Sequence, residues 1–229
     1  MIRFSEKQLL LDIKLQATPS LDNFVSGRNF ELIQTLKNML LGHEKERFIY
    51  VWGDSGCGKS HLLQAAVRFF IQSGEVAYYC PGEMNQLIQL SDGLCCVAID
   101  DVESLDNEAQ LVLFSVYNQF KEAGSSILLV SGSLPPMQLN LRRDLVTRLA
   151  WGLVYQVHEL TEAEKIDALQ KQAAERGFVL ENAVCRYLLQ HAQRDLSSLM
   201  IILDALDRFS LVHQRHITIP LLRKLLNNR

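Results

Sequence analysis

The sequence lacks an apolar run of the roughly 18 residues that a membrane-spanning helix needs. It also lacks a basic N-terminal stretch followed by a cleavable apolar segment, which argues against secretion. These two absences predict a cytoplasmic protein that has no membrane partner.

Cysteine is scarce and poorly spaced for cross-linking or for zinc. The number of cysteines is odd, two of them are adjacent, and no C-x-x-C pair exists. We therefore expect neither a disulfide framework nor a zinc site, and a reducing compartment fits this pattern. The cysteines are Cys57, Cys80, Cys95, Cys96 and Cys185.

An excess of positive charge is also missing. Lysine and arginine total 23 against 26 aspartates and glutamates, which gives a formal net charge of -3. This balance argues against a basic nucleic-acid footprint over the whole chain, although a local basic patch is compatible with it. Hydrophobic residues make up 48% of the 229 residues, enough for a well-buried core.

Five short apolar runs predict the strands of a sheet. Most are continuously apolar rather than alternating, as expected for parallel strands that are buried on both faces. Helical patterns lie between them at 60–74 and at 107–124, where Gly124 is a good helix stop. The alternation predicts an α/β fold with a doubly wound core. The predicted strands are Phe48 to Trp52, Val76 to Cys80, Leu94 to Ile99, Ile127 to Val130 and Val154 to His158.

The pattern becomes all-helical after residue 158. The first helix there is predicted to begin after an N-cap at Thr161, with an acidic first turn, and to stop at Gly177. Three more helical patterns follow, near 181–192, 195–213 and 218–227. The predicted division is an N-terminal tail at 1–15, a nucleotide-binding α/β subdomain at 16–158 and a helical lid subdomain at 159–229.

The segment GDSGCGKS, residues 53–60, fits the phosphate-loop pattern G-x-x-x-x-G-K-S in full, between an apolar strand and an amphipathic helix. Glycines let backbone N–H groups turn towards phosphate oxygens, and the helix N-terminus adds its dipole. Lys59 is expected to reach the β- and γ-phosphates, and Ser60 to ligate Mg²⁺. The alternative, an incidental glycine-rich turn, is disfavoured by the flanking context. The predicted cofactors are ADP or ATP with Mg²⁺.

The segment LCCVAIDD, residues 94–101, ends an apolar strand in two aspartates. Alone, it would be interpreted as a strand and an acidic turn, but its pairing with a phosphate loop favours a Walker B site. Asp100 is then expected to hold Mg²⁺ through water, and Asp101 to polarise the attacking water. The polar strand tip at 131–133 is a weaker candidate for a contact with the γ-phosphate.

A phosphate-loop core followed by a helical lid resembles the AAA+ ATPases, and several segments look like the DnaA family in particular. LDNFVSGRN is similar to the segment that wraps adenine, IDDVESL to the Walker B region, and SGSLPPMQLN with DLVTRLAWGL to the sensor-1 and arginine-finger segments. The resemblance covers roughly residues 20 to 215. It implies nucleotide contacts by Phe24, Val25, Gly53, Asp54, Ser55, Gly56, Cys57, Gly58, Lys59, Ser60 and His61.

A leucine-rich leader, KQLLLDIKL, precedes the core, and no helix-turn-helix pattern follows the lid. This arrangement resembles the Hda family of DnaA-related regulatory inactivators, in which a Q-L-x-L-x-L motif binds the replicative sliding clamp. The matching residues are Gln8, Leu9, Leu11 and Ile13, with Asp12 where proline is often found. The alternative is an edge strand or helix that packs on the domain itself.

The same resemblance implies that Arg148 is an arginine finger, acting in trans on ATP bound to DnaA. A guanidinium in that place stabilises transition-state charge. The alternative is a salt bridge to Asp144, four residues upstream on the same helix face.

Two positions depart from the DnaA pattern. Ile202 falls about where DnaA carries its sensor-2 arginine, and Ser133 stands where aspartate is usual. We therefore expect no ATP-sensing contact from the lid and little or no ATPase of the chain's own, although Lys59 and Asp101 are compatible with some hydrolysis.

The sequence thus predicts a regulator of bacterial replication initiation. It would bind the sliding clamp, the β subunit of DNA polymerase III, reach DNA through that clamp, and convert DnaA to its ADP form. One alternative is an ATP-dependent helicase loader or a DNA-binding DnaA paralogue, which predicts ATPase stimulated by single-stranded DNA. Another is a small-molecule phosphoryl-transfer enzyme, which leaves the helical tail unexplained. Nucleotide preference and oligomeric state stay open, a homo-oligomer included.

Overall fold

The computed structural model describes residues 18–82, 93–213 and 217–227. The leader motif and the predicted tail at 1–15 lie outside the described residues. One compact unit spans Pro19–Glu159, and another begins at Leu160. The strands are β1 Phe48–Trp52, β2 Val76–Cys80, β3 Leu94–Ile99, β4 Ile127–Gly132 and β5 Leu153–Gln156. The helices are α1 Phe30–Leu40, α2 Lys59–Gln72, α3 Asn107–Ala123, α4 Arg143–Trp151, α5 Glu162–Glu175, α6 Asn182–His191, α7 Leu196–His213 and α8 Ile219–Asn227.

The first unit is built on one parallel sheet in the order β2-β3-β4-β1-β5. All five predicted strands are present, and the α/β fold class with its helical second part is confirmed. β4 runs two residues further than predicted because its pairing with β1 continues through Ser131 and Gly132, past the last apolar residue. β5 lies earlier than predicted, since its register pairs Leu153 with Ile49 and ends at Gln156.

Helices cover both faces of this sheet, because its strands are apolar on both sides. Ile49 and Val51 of β1 pack with residues of α1 and α2, whereas Tyr50 between them packs with residues of α3 and α4. This alternation follows from the two-residue period of a strand. Each fully buried aliphatic side chain contributes about 1.5–3 kcal/mol relative to exposure, so the two layers hold the central strands in place.

The boundaries of α3 follow from its end residues. The Asp106 side chain accepts a hydrogen bond from the Ala109 N–H at 2.8 Å, which caps the N-terminus. Gly124 adopts a positive φ of 70° and donates its N–H to the Phe120 carbonyl at 2.9 Å. The predicted stop at Gly124 is therefore confirmed.

Every regular element that the structure describes in the second unit is a helix, and the unit has a core of its own, centred on side chains such as Leu169, Leu188 and Leu203. Its first helix, α5, begins with a capping box in which Thr161 and Glu164 bond each other's backbone N–H groups. The predicted N-cap at Thr161 is confirmed. Among the helices that the structure describes in either unit, none is long and apolar enough to cross a membrane.

We predict that Thr161→Ala loosens α5, because the Glu164 N–H loses its side-chain acceptor in the capping box. The expected cost is about 1 kcal/mol, which corresponds to roughly fivefold faster hydrogen exchange of the α5 amides that open with this helix. Ser197→Ala removes an exposed hydroxyl from the first turn of α7 and is the matched control. Equal exchange in the two variants would contradict the role given to the capping box.

Candidate nucleotide-binding site

The phosphate loop leaves β1 at Gly53 and enters α2 at Lys59, as predicted. All three of its glycines have a positive φ, and at two of them an added Cβ would also clash with a neighbour. Gly53 has a φ of 155°, and a Cβ there would lie 2.5 Å from the Val157 carbonyl oxygen. Gly58 has a φ of 109°, and a Cβ there would lie 2.7 Å from the Phe24 ring. The loop is therefore held closely between the end of β5 and the segment before α1.

The N-terminus of α2 has the features of an anion site. No side chain caps this helix, so its first N–H groups have no side-chain acceptor. Lys59 is only 7% exposed, and its ammonium group donates to the carbonyls of Gly53 at 2.8 Å and Asp54 at 3.1 Å. This arrangement keeps a cation over the loop and suits a bound phosphate.

The remaining predicted loop residues divide by exposure. Asp54, Ser55, Gly56 and Ser60 are exposed, so the Ser60 hydroxyl at the start of α2 is accessible to a metal ion. Cys57 is buried, and its burial raises the pKa of its thiol. The Cys57 side chain therefore has a packing role in the loop.

Asp100 follows β3 and is 3% exposed. Both of its carboxylate oxygens accept hydrogen bonds: Oδ1 from the Ser131 hydroxyl, and Oδ2 from the Tyr79 hydroxyl at 2.7 Å. The sequence analysis did not identify Tyr79. No sequence motif marks this position, and only the pairing of β2 with β3 reveals it.

Asp101 has a left-handed backbone, with a φ of 46°, which is uncommon for a residue other than glycine. Its N–H donates to the Ser131 hydroxyl at 3.0 Å, and its carbonyl accepts from Ser104 N–H at 2.9 Å and Ser104 Oγ at 2.6 Å. Such a conformation costs on the order of 1–3 kcal/mol and concentrates at functional sites. The Asp101 side chain is thus kept at the exposed end of β3.

The strand tip at 131–133 lies between the two halves of the predicted site. The Gly53 N–H at the start of the phosphate loop donates to the Gly132 carbonyl at 3.3 Å. The Ser133 N–H donates to Glu103 Oε1 at 2.8 Å, and nearby the Tyr50 hydroxyl donates to the Leu134 carbonyl at 2.6 Å. These bonds fix the tip that the sequence analysis ranked as a weak candidate.

The segment before α1 lies beside the phosphate loop. The Phe24 ring contacts His61 edge-on, with centroids 5.5 Å apart, and His61 Nε2 donates to the Ser20 carbonyl at 3.0 Å. Val25 is half-buried. Asn29, which sequence reasoning did not single out, is buried and bonds both backbone groups of His158, at 2.8 Å and 2.7 Å. These contacts attach the segment to the nucleotide-binding end of the sheet.

Arg148 lies apart from these groups, on α4. Its guanidinium carbon is 4.4 Å from the centre of the Trp151 ring and within 5.6 Å of the Phe114 and Tyr117 ring centres. Asp144 pairs with Arg142 instead, at 3.0 Å, and this hydrogen bond lowers the pKa of Asp144. The alternative of an Asp144–Arg148 salt bridge is thus not realised among the described residues.

The sequence analysis also singled out a position in the lid and a motif near the N-terminus. Ile202 is buried in the helical core of the second unit, as befits an apolar residue, so it offers no polar group to a nucleotide. The residues predicted to bind the clamp, Gln8, Leu9, Leu11 and Ile13, lie outside the described residues, so that assignment stays a prediction.

The fold agrees with that of solved AAA+ proteins. Domain III of DnaA from Thermotoga maritima matches with a TM-score of 0.72 and 19% identity, over 93% of this chain and 97% of that one. AMPPCP-bound DnaA from Aquifex aeolicus matches with a TM-score of 0.68 and 21% identity, over 82% of this chain and 65% of that one. A RuvB mutant from Thermotoga maritima matches with a TM-score of 0.64 and 17% identity, over 91% and 71% of the two chains. The chain thus has a parallel sheet, a phosphate loop and a structural similarity to these proteins. Together these features define a phosphate-loop protein of the AAA+ fold.

The helical part gives the narrower assignment. Residues 162–226 match the family model of the Hda lid domain. Together with the DnaA-like AAA+ fold, this match makes the chain similar to Hda. It spans about two thirds of the length of the Aquifex DnaA chain, 65%.

We predict that His61 makes stability depend on pH. Burial lowers its folded-state pKa below the ordinary histidine value of 6.5. Between its folded-state and unfolded-state pKa values, His61 binds more protons in the unfolded chain than in the folded one, so the free energy of unfolding rises with pH in this range. The stability that comes from a neutral His61 is therefore complete above pH 6.5 and is lost as the pH falls below it. His61→Gln keeps an amide donor for the Ser20 carbonyl and removes the titration. The urea midpoint should therefore fall less between pH 7.5 and pH 5.5 in this variant, and an unchanged fall would refute the prediction.

Proposed function

We propose that this chain is a regulator of replication initiation that acts on ATP bound to DnaA and uses Arg148 as an arginine finger. It would do so in the cytoplasm while attached to the sliding clamp through Gln8, Leu9, Leu11 and Ile13, and it would reach DNA through that clamp. The observation that carries the proposal is the position of Arg148, a half-buried guanidinium packed on aromatic rings and not paired with Asp144.

The aromatic platform suits a finger that acts on another molecule. A cation over a ring face gains about 0.5–2 kcal/mol without using its in-plane N–H donors. Those donors match the geometry of phosphate oxygens. The Lys121 ammonium also lies over the Trp151 ring, 4.7 Å from its centre, so this surface carries two cations. It is therefore electrostatically suited to the triphosphate of a partner.

The chain's own phosphate loop is proposed to hold ADP or ATP. Lys59 and the N–H groups of α2 would bind the phosphates, and Ser60 with Asp100 would hold Mg²⁺, Asp100 through water. The bound metal would neutralise phosphate charge. The exposed Ser60 hydroxyl and the uncapped α2 N-terminus fit these groups. Phe24, Val25 and His61 would contact the base.

We expect the chain to hydrolyse its own bound nucleotide only weakly, because the second unit has no cation at the sensor position. Ile202 stands where an ATP-sensing cation is expected, and it is buried in the helical core. The negative charge on the γ-phosphate would therefore not be stabilised by a cation from this position. The predicted role of Asp101 in polarising water would then support slow hydrolysis, and the bound nucleotide would act mainly to maintain a regulatory state.

The first test measures hydrolysis of ATP preloaded on DnaA in the presence of clamp-loaded DNA. Arg148→Ala should reduce the stimulated rate by about 10³-fold, because an arginine finger contributes about 10³–10⁵ in rate. Arg148→Lys should restore little of it, since lysine lacks the planar donor fork. Arg143→Ala removes the same charge from an exposed position on α4 and should keep the wild-type rate.

Wild-type stimulation by the Arg148→Ala protein would overturn the finger assignment. If the chain alone hydrolysed ATP faster with single-stranded DNA, the helicase-loader alternative would be favoured instead.

The second test concerns the clamp. Replacing Leu11 and Ile13 together by alanine should weaken clamp binding by at least about tenfold, because each buried side chain contributes about 1.5–3 kcal/mol. Leu10→Ala is the matched control, since it removes a leucine at a position that the motif leaves free. Surface plasmon resonance with immobilised clamp measures both variants. Equal affinities would contradict the motif assignment and leave the Arg148 proposal standing.

A further inference from the structure

Polar side chains from two strands meet at Asp100, the proposed metal ligand. The Tyr79 hydroxyl donates to Asp100 Oδ2 at 2.7 Å. On the other side, the Ser131 hydroxyl donates to Oδ1 of the same carboxylate and accepts from the Asp101 N–H. Asp100 is therefore held from both sides by hydroxyl groups of its neighbouring strands, β2 and β4.

The register of the sheet produces this contact. Tyr79 on β2 pairs with Ala98 on β3, and the Asp100 N–H donates to the Cys80 carbonyl at 2.9 Å. Asp100 is thus fixed one residue beyond the strand, within reach of a long side chain on β2. Tyr78 and Tyr79 are adjacent and point to opposite faces, because Tyr78 packs against the α3 side and Tyr79 against the α2 side.

Two hydroxyl donors restrict rotation of the carboxylate without exhausting its acceptors. An ionised carboxylate has about four lone-pair sites, so about two remain for other donors. A metal-bound water needs such an acceptor in a fixed direction, and outer-shell partners of metal sites supply that orientation.

We propose that Tyr79 is a positioning residue that orients Asp100 towards the waters of Mg²⁺, an inference that rests on the proposed nucleotide site. Tyr79 does not touch the nucleotide in this proposal. It sets the metal dependence of nucleotide binding by holding the carboxylate in one orientation.

The test titrates Mg²⁺ into protein with a fluorescent methylanthraniloyl derivative of ADP and measures its affinity. Tyr79→Phe should raise the Mg²⁺ concentration for half-maximal effect about threefold to tenfold, below the roughly 10–100-fold typical of direct outer-shell partners because it acts one bond further out. Affinity measured in EDTA should stay at the wild-type value. Tyr78→Phe removes the neighbouring hydroxyl from the opposite face and should change neither quantity.

Ser131→Ala is a second variant, in case Tyr79→Phe unfolds, and it should shift the Mg²⁺ dependence in the same direction. A Tyr79→Phe protein with wild-type Mg²⁺ dependence would overturn the inference. So would an equal loss of affinity with and without metal, which indicates a purely structural role.

Asp100→Asn separates this inference from the proposal on which it rests. If wild-type binding responds to Mg²⁺ and the Asp100→Asn protein does not, the metal site is supported whatever Tyr79 does. If neither protein responds to Mg²⁺, both the metal site and the role of Tyr79 are overturned, while Arg148 is unaffected.

Discussion

The hydroxyl of Ser131, at the end of β4, holds the aspartate half of the candidate site, since it donates to Asp100 and accepts from the Asp101 N–H. One residue later, the Gly132 carbonyl accepts from Gly53 at the start of the phosphate loop. The end of β4 therefore holds both the phosphate loop and the aspartates in register. It can do so because β4 lies between β1 and β3 in the sheet. A parallel sheet brings these carboxyl ends to one edge, where ligands of open α/β sheets bind.

The space around the end of β4 and the aspartates is filled by other atoms, which explains why glycines occur there. A Cβ on Gly132 would overlap the Tyr50 hydroxyl, and a Cβ on Gly82 would lie 2.6 Å from the Asp100 carbonyl oxygen. The same close packing brings Glu103 near Tyr50, and burial together with this charge raises the pKa of Tyr50. The site is therefore rigid around the aspartates, whereas Ser60 stays accessible.

The sequence predicted the parts of the fold that depend on local patterns. Continuous apolar runs predicted the strands, and Thr161 and Gly124 predicted helix ends through their own backbone bonds. Contacts between strands could not be predicted in this way, because they depend on register. Tyr79 shows the difference. Nothing in its own surroundings distinguishes it from Tyr78, and only pairing with β3 brings its hydroxyl to Asp100. Arg148 similarly needed a tertiary structure to show that its neighbours are aromatic rings.

The two cationic elements of the proposed mechanism differ in how their charge is held. Lys59 is buried and bonds two carbonyls of its own loop, so a phosphate would take over existing hydrogen bonds within the chain. Arg148 rests on ring faces, and Trp151 beside it is 56% exposed. A guanidinium held this way can be presented to another molecule without first breaking an ion pair, which would cost energy if the partner charge were left buried. The first arrangement suits retention of a nucleotide by the chain itself, and the second suits action on a nucleotide that another protein holds.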